Sequence, residues 1–170
     1  MERIDVRRLG KEPASFRWEE PAATLGLDAE PAFQHPISIE VSARKVGARV
    51  LLNGSAGGLI RLECCRCLET FEQTVSADVA VEYREGTPPH RREDVIRDDE
   101  PDASWYEHPF VDPVEDLRQI LLVAVPDYPV CRPECRGVCP RCGRDLNAES
   151  CECGPPETPG TWSALERLKL

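Results

Sequence analysis

Nine cysteines fall in short, regular groups. Cys64-Cys-Arg-Cys67 is a C-x-x-C with an extra cysteine inside it, and Cys131-Arg-Pro-Glu-Cys135 is C-x-x-x-C. Cys139-Pro-Arg-Cys142-Gly143 is C-P-x-C-G, and Cys151-Glu-Cys153 is C-x-C. Structural zinc takes four thiolates in a tetrahedron at a Zn–S distance of about 2.3 Å, and two cysteines on one tight turn supply half of that. Four pairs therefore predict two zinc ions, with Cys65 left over. Cys139, Cys142, Cys151 and Cys153 group most economically, because the loop that closes them is short. Cys64 and Cys67 would then join Cys131 and Cys135, although spacing alone also admits a swap between the pairs. The proline inside the Cys139–Cys142 pair and the glycine after it suit a knuckle whose backbone amides turn toward sulfur. Strand alternation points Cys65 away from Cys64, which makes Cys65 the poorer ligand.

Arg66, Arg132, Arg136 and Arg141 lie within or beside three of the four pairs, where cations favour thiolate over thiol. Arg132, Arg136, Arg141 and Arg144 also stand against a single acid, Glu134, and form a basic island able to grip phosphate locally. They are candidate RNA-binding residues; the plainer reading is that they only balance the thiolates. The Cys64–Cys67 pair has two rival readings. One is a pair of buried free thiols at a strand end. The other is a redox C-x-x-C, which needs a βαβ context and a helix N-terminus to lower the thiol pKa. The pair follows a strand of antiparallel type, which disfavours redox chemistry. No Ser/His/Asp constellation, phosphate loop or paired-carboxylate motif is present. His35, His90 and His108 sit near prolines in expected loops. The expectation is a protein that is not an enzyme and has no small-molecule substrate.

The elements that must position these cysteines can be read from periodicity. Ile37, Ile39, Val41 and Ala43 alternate with polar residues; Val50 and Leu52 follow; and Ile60, Leu62 and Cys64 alternate again. Asn53-Gly54 and Gly57-Gly58 read as turns between these runs. Phe71–Tyr83 is the clearest strand, with Phe71, Val75, Val79 and Tyr83 on one side. One main helix is expected over 112–125, with Asp112 as N-cap, Pro113 at N1 and Glu115 at N3. Its apolar face is Val114, Leu117, Ile120, Leu121 and Ala124, and Pro126 stops it. A short terminal helix is expected from about 161 to 168.

The fold class predicted is α+β, an antiparallel β-sheet packed by one main helix, with a Cys-rich zinc knuckle and a short C-terminal helix. Residues 1–36, broken by Pro13, Pro21, Pro31 and Pro36, read as an irregular N-terminal arm. Residues 37–126 are the sheet-plus-helix core, within which 84–109 is an acidic flexible loop that Trp105, Tyr106 and Phe110 dock back. Residues 127–170 form the zinc-binding module with its terminal helix. The longest apolar run, Ile120–Val125, falls far short of the roughly 20 residues a bilayer needs, so no membrane association is expected. The charged N-terminus carries no secretory signal, which predicts a cytoplasmic protein. There, close cysteines bind metal more often than they form disulfides. A net charge of -10 argues against simple electrostatic capture of nucleic acid and leaves open a basic protein partner. In that alternative the protein is an acidic adaptor, holding a basic protein through acids at 93–102.

Three stretches carry a family resemblance. They are L-E-C-C-R-C-L-E-T-F at Leu62–Phe71, D-L-R-Q-I-L-L-V-A-V-P at Asp116–Pro126, and C-R-P-E-C-R-G-V-C-P-R-C-G-R-D-L-N at Cys131–Asn147, followed by C-E-C. From about residue 37 onward the chain resembles the YceD-type large ribosomal RNA subunit accumulation proteins of bacteria and plastids. The resemblance implies a role in accumulation of the 23S rRNA, hence in large-subunit biogenesis, with large-subunit precursor rRNA or a ribosomal protein as partner. It implies no enzymatic activity and carries over no catalytic residue. Some members of that family keep the C-x-R-C pair but lack the G-x-C-P-x-C-G segment, which implies two separable sites. This chain departs from the pattern with Cys65 at the variable position of the first pair and with a Pro/Glu-rich stretch at Gly154–Gly160.

Overall fold

A computed structural model describes residues 3–29, 33–87 and 103–154. It is mostly sheet, with one main helix and two Cys-rich clusters. The chain divides into two compact units, one of Met1–Leu62 with Glu72–Asp127 and one of Glu63–Phe71 with Tyr128–Leu170. The expected terminal helix at 161–168 and the acids at 93–102 lie outside the described residues.

The first unit is built on a five-stranded sheet in the order β2-β3-β4-β5-β6. Its strands are β2 (Ala14–Glu20), β3 (Ile37–Val46), β4 (Arg49–Glu63), β5 (Thr70–Glu85) and β6 (Ala103–Tyr106). A separate pair joins β1 (Ile4–Asp5) to β7 (Phe110–Val111), antiparallel. Alternation puts Ile37, Ile39, Val41 and Ala43 of β3, Val50 and Leu52 of β4, and Val75, Val79 and Tyr83 of β5 in the core. Each fully buried aliphatic side chain of this kind contributes about 1.5–3 kcal/mol.

Four expectations are corrected here. The N-terminal arm is not irregular throughout: β2 pairs antiparallel with β3 along its whole length, from Ala14↔Ala43 to Glu20↔Ile37. Pro13 and Pro21 bound this strand rather than breaking it, which is where a sheet tolerates proline. Next, Asn53-Gly54 and Gly57-Gly58 are not turns but lie inside the uninterrupted β4. A Cβ on Gly54 would run into the Glu40 carbonyl and come within 2.6 Å of the Val41 Cα, and one on Gly57 would lie 2.5 Å from the Val75 carbonyl. Close approach of neighbouring strands, not turn geometry, requires these glycines. The hairpin turn is Gly47-Ala48, with Gly47 at φ +64° and Val46 paired to Arg49, the two-residue form that takes glycine first.

The remaining two corrections concern the far edge and the helix. The sheet is not wholly antiparallel, because β6 runs parallel to β5, with Glu82↔Ala103 to Glu85↔Tyr106. Parallel neighbours need a crossover of about a dozen residues or more, which residues 86–102 provide. The loop expected over 84–109 therefore contains strand at 84–85 and at 103–106. Tyr106 is buried, as the docking reading expects, whereas Phe110 is exposed. The helix α1 (Val114–Ala124) starts later than expected, with Pro113 at the cap position. Asp112 instead accepts from the Val114 N–H at 3.3 Å. Leu117 and Leu121 are fully buried. Asp116 accepts from the Tyr83 hydroxyl at 2.7 Å and from the Ser104 hydroxyl, which fastens the helix to β5 and β6. Val125 is extended, as the residue before a proline should be, and ends the helix. No helix among the described residues is long and apolar enough to cross a membrane.

Candidate metal centres

The second unit begins where β4 ends. Residues 64–69 link β4 to β5, and a connection this short between neighbouring strands makes them an antiparallel pair. The Cys64-Cys-Arg-Cys67 turn is the tip of that hairpin. The Cys64 N–H donates to the Glu69 carbonyl and the Leu68 N–H to the Cys64 carbonyl, both at 2.9 Å. The other cysteines follow α1 on a chain of tight turns. The Cys135 N–H donates to the Arg132 carbonyl at 3.0 Å and the Gly143 N–H to the Cys139 carbonyl at 2.9 Å. The two knuckles thus repeat one turn, Cys64 to Leu68 and Cys139 to Gly143. Both end on a residue with positive φ, Gly143 at +70° and Leu68 at +63°. Glycine takes that conformation freely, whereas leucine gives up roughly 1 kcal/mol or more.

The sulfurs of Cys64, Cys67, Cys131 and Cys135 all lie within 4.8 Å of one another, and so do those of Cys139, Cys142, Cys151 and Cys153. These are the two sets that spacing favours. Cys64 Sγ is 3.9 Å from Cys135 Sγ, and Cys67 Sγ is 3.7 Å from Cys131 Sγ. A disulfide would need about 2.05 Å. The edge of a tetrahedron with metal–sulfur bonds of about 2.3 Å is about 3.8 Å. Both groups could therefore hold a metal ion. In the first, Cys64, Cys67 and Cys135 are buried, with Phe71 and Val130 packed against them. In the second only Cys139 is buried, and Cys142 is exposed. Cys65 is exposed and belongs to neither group.

The backbone prepares these sulfurs for a cation. Burial pushes the Cys64 thiol up, but N–H groups of Cys131, Cys67 and Arg66 outweigh it and bring it down to about 6. The amides of Cys142 and Arg141, helped by Cys151, bring Cys139 down to about 6. Their neighbours resist a further charge. The Glu69 amide favours the Cys67 thiolate, yet burial and the facing Cys64, Cys135 and Cys131 push that thiol up to about 12. Cys142, burial and Cys139 push Cys153 up to about 12. Each group thus favours one thiolate, Cys64 or Cys139, and disfavours charge on others, Cys67 and Cys131 or Cys153, a conflict that a bound dication removes.

Three of the arginines within or beside the pairs, Arg66, Arg141 and Arg144, donate to backbone carbonyls. Arg66 donates to the carbonyls of Cys135 at 3.0 Å and Pro133 at 3.3 Å. Arg141 donates to the Cys153 carbonyl at 3.1 Å, and Arg144 donates to the Ser150 carbonyl at 3.2 Å and pairs with Glu149 at 3.6 Å. Half of the suggested basic island, Arg141 and Arg144, is thus tied to the second knuckle. Arg132, Arg136, Arg141 and Arg144 are all exposed. The periodicity reading missed Asn147, whose side chain accepts from the Arg136 N–H at 2.7 Å and donates to Cys135 Sγ at 3.6 Å. Its signal was Asp145-x-Asn147, a side-chain-closed turn in which Asp145 accepts from the Asn147 N–H at 2.9 Å. Gly137 was also missed: its φ is +74° and a Cβ there would lie 2.8 Å from the Arg66 carbonyl. That approach lets the Val138 N–H reach the same carbonyl at 2.9 Å, joining the two cysteine turns.

Residues 52–169 match the family model described as Large ribosomal RNA subunit accumulation protein YceD. An uncharacterised protein of Mycobacterium tuberculosis is 30% identical over 155 residues, covering 86% of this chain and 71% of that relative. The large ribosomal RNA subunit accumulation protein YCED homolog 1 of Zea mays chloroplasts is 28% identical over 171 residues, 82% of this chain and 58% of the relative. Its namesake in Arabidopsis thaliana is 23% identical over 196 residues, 99% of this chain and 60% of the relative. The chain therefore spans less than two thirds of either plant protein. No solved structure matches it. All eight clustered cysteines, the strands flanking the first knuckle and helix α1 fall within the matched stretch or overlap it, and the chain belongs to the YceD family.

Proposed function

We propose that this protein is a non-enzymatic, cytoplasmic, zinc-stabilised factor in large ribosomal subunit biogenesis, needed for accumulation of the 23S rRNA. Membership of a family named for that accumulation carries the ribosomal part of the reading. Two sets of four sulfurs, each set within 4.8 Å of one another, carry the zinc part, with Cys64, Cys67, Cys131 and Cys135 holding one ion and Cys139, Cys142, Cys151 and Cys153 the other. The Cys64–Cys67 pair faces two more sulfurs at 3.7–3.9 Å, which supports ligation over dithiol exchange. The zinc ions are structural. Four thiolates fill the tetrahedron and leave no open position for water or substrate.

The partner is large-subunit precursor rRNA or a ribosomal protein assembled on it. One observation favours the protein. Residues 63–71 and 128–154 hold five arginines against six carboxylates, and each tetrathiolate zinc centre would leave a further double negative charge. Such a module attracts phosphate weakly. Crosslinking in cells, followed by identification of the bound RNA and proteins, tests the reading. Large-subunit rRNA or its proteins should be recovered; recovery of neither would remove the ribosomal assignment. If RNA is the partner, alanine at Arg132, Arg136, Arg141 and Arg144 should weaken binding and flatten its salt dependence.

A further inference from the structure

We propose that the tip of the first knuckle is a docking point for a basic protein, anchored by Leu68; this rests on the ribosomal reading above and names its partner class. Cys64–Leu68 and Cys139–Gly143 are the same turn, closed by the same hydrogen bond of 2.9 Å. The turn demands a positive φ at its last residue, and the second knuckle meets that demand with Gly143. The first meets it with Leu68, which takes on backbone strain that glycine would avoid. Nothing is gained by burial in exchange, because Leu68 is 59% exposed. A strained, exposed, branched apolar side chain at the apex of a rigid turn is unfavourable to the free protein on both counts. Strain retained in this way concentrates at sites of contact.

The chemistry around the tip selects the partner. Leucine has no π-face for stacking a base, the contact by which unpaired nucleotides are held. The exposed residues on either side include the carboxylates Glu63 and Glu69, which repel phosphate and attract lysine or arginine. The adjacent cation, Arg66, is directed at the carbonyls of Pro133 and Cys135. The whole chain carries -10, which steers a basic partner toward it at low salt. An apolar anchor flanked along the chain by Glu63 and Glu69 fits a basic protein that offers an apolar pocket with lysine or arginine at its rim.

Leu68→Gly separates this from a structural role. Relief of strain predicts unchanged zinc content and a thermal midpoint equal to or above that of the unaltered protein, whereas a leucine needed for folding would lower both. The full chain, immobilised, is offered two probes separately: the basic proteins stripped from purified large ribosomal subunits, and a transcript of the large-subunit rRNA. The expected result is retention of one or more basic proteins, weakened roughly 30-fold or more by Leu68→Gly and equally by Leu68→Asn, which also tolerates positive φ. Equal retention by Leu68→Gly would overturn the proposal, as would loss of zinc in both variants. Retention of the transcript alone, whether or not it depends on Leu68, would overturn it while leaving the ribosomal reading intact. Retention of neither probe would remove both.

Discussion

At the scale of single residues, the cysteines divide by what surrounds their sulfur rather than by their place in a motif. Cys65 sits inside a C-x-x-C yet is exposed and outside both sulfur groups. Cys65→Ser should leave metal content and stability unchanged. Cys139→Ser should lose one metal equivalent, because it removes the buried member of the more open group. Elemental analysis of protein purified without added metal checks both, and a fall in metal for Cys65→Ser would contradict the assignment. The amide-rich environment of Cys64 and Cys139 makes a second prediction for the metal-free chain. Both thiols lie near 6 rather than the ordinary 9.0. A lowered folded value means that the amide–sulfur bonds contribute fully above about pH 9 and lose their contribution as the pH falls through about 6. Chelation, which removes the folded turns, should therefore leave thiolate absorbance rising in a single step near the ordinary thiol value. A separate step near pH 6 in the metal-free chain would show that the turns persist without metal.

At the scale of elements, helix α1 is only eleven residues long, a length at which an isolated helix is marginal in water. Tertiary packing must hold it, through Leu117 and Leu121 and through the carboxylate of Asp116. Asp116→Ala would strip two hydroxyl donors of their acceptor and leave the buried Tyr83 hydroxyl unpartnered. The expected loss is about 2–4 kcal/mol, read from urea unfolding. Tyr83→Phe removes the donor as well as its demand and should cost less, about 1 kcal/mol. Equal stability of Asp116→Ala and the unaltered protein would mean that apolar packing alone seats the helix. The sheet makes a similar point at Gly54, where the neighbouring strand comes too close for any side chain.

At the scale of the whole molecule, the two units have interiors of different kinds. The first buries aliphatic side chains from β1, β3, β4, β5, β7 and helix α1. The second has an interior made largely of its own cysteines, with Phe71 and Val130 packed beside them. Metal bound by these cysteines would supply folding energy. Chelation should therefore abolish amide exchange protection across 64–69 and 131–153 while β3 and β4 keep theirs, as hydrogen exchange with mass spectrometry would reveal. Protection at 131–153 that survives complete metal removal would show that the turns and arginine–carbonyl bonds suffice alone.

Local chemistry was legible in the amino-acid order: which cysteines pair on a turn, that β3 and β5 each bury one face, and where α1 stops at Pro126. These follow from neighbours within a few residues, where side-chain period and turn geometry dominate. What depended on distant partners was not legible. The order of residues made Pro13 and Pro21 look like breaks, and only pairing with β3 made Ala14–Glu20 a strand. Gly54 and Gly57 looked like turns because glycine serves both φ freedom and close approach, and only the adjacent strands select the second. The parallel seating of β6 was decided likewise by where the chain returned. At the site, spacing favoured the two cysteine sets but could not exclude a swap, since Cys67 and Cys131 meet although they are 64 positions apart in the chain. The conformation of Leu68 belongs to the same class: its identity is in the sequence, but its positive φ comes from the turn that brings Cys64 and Cys67 to one centre.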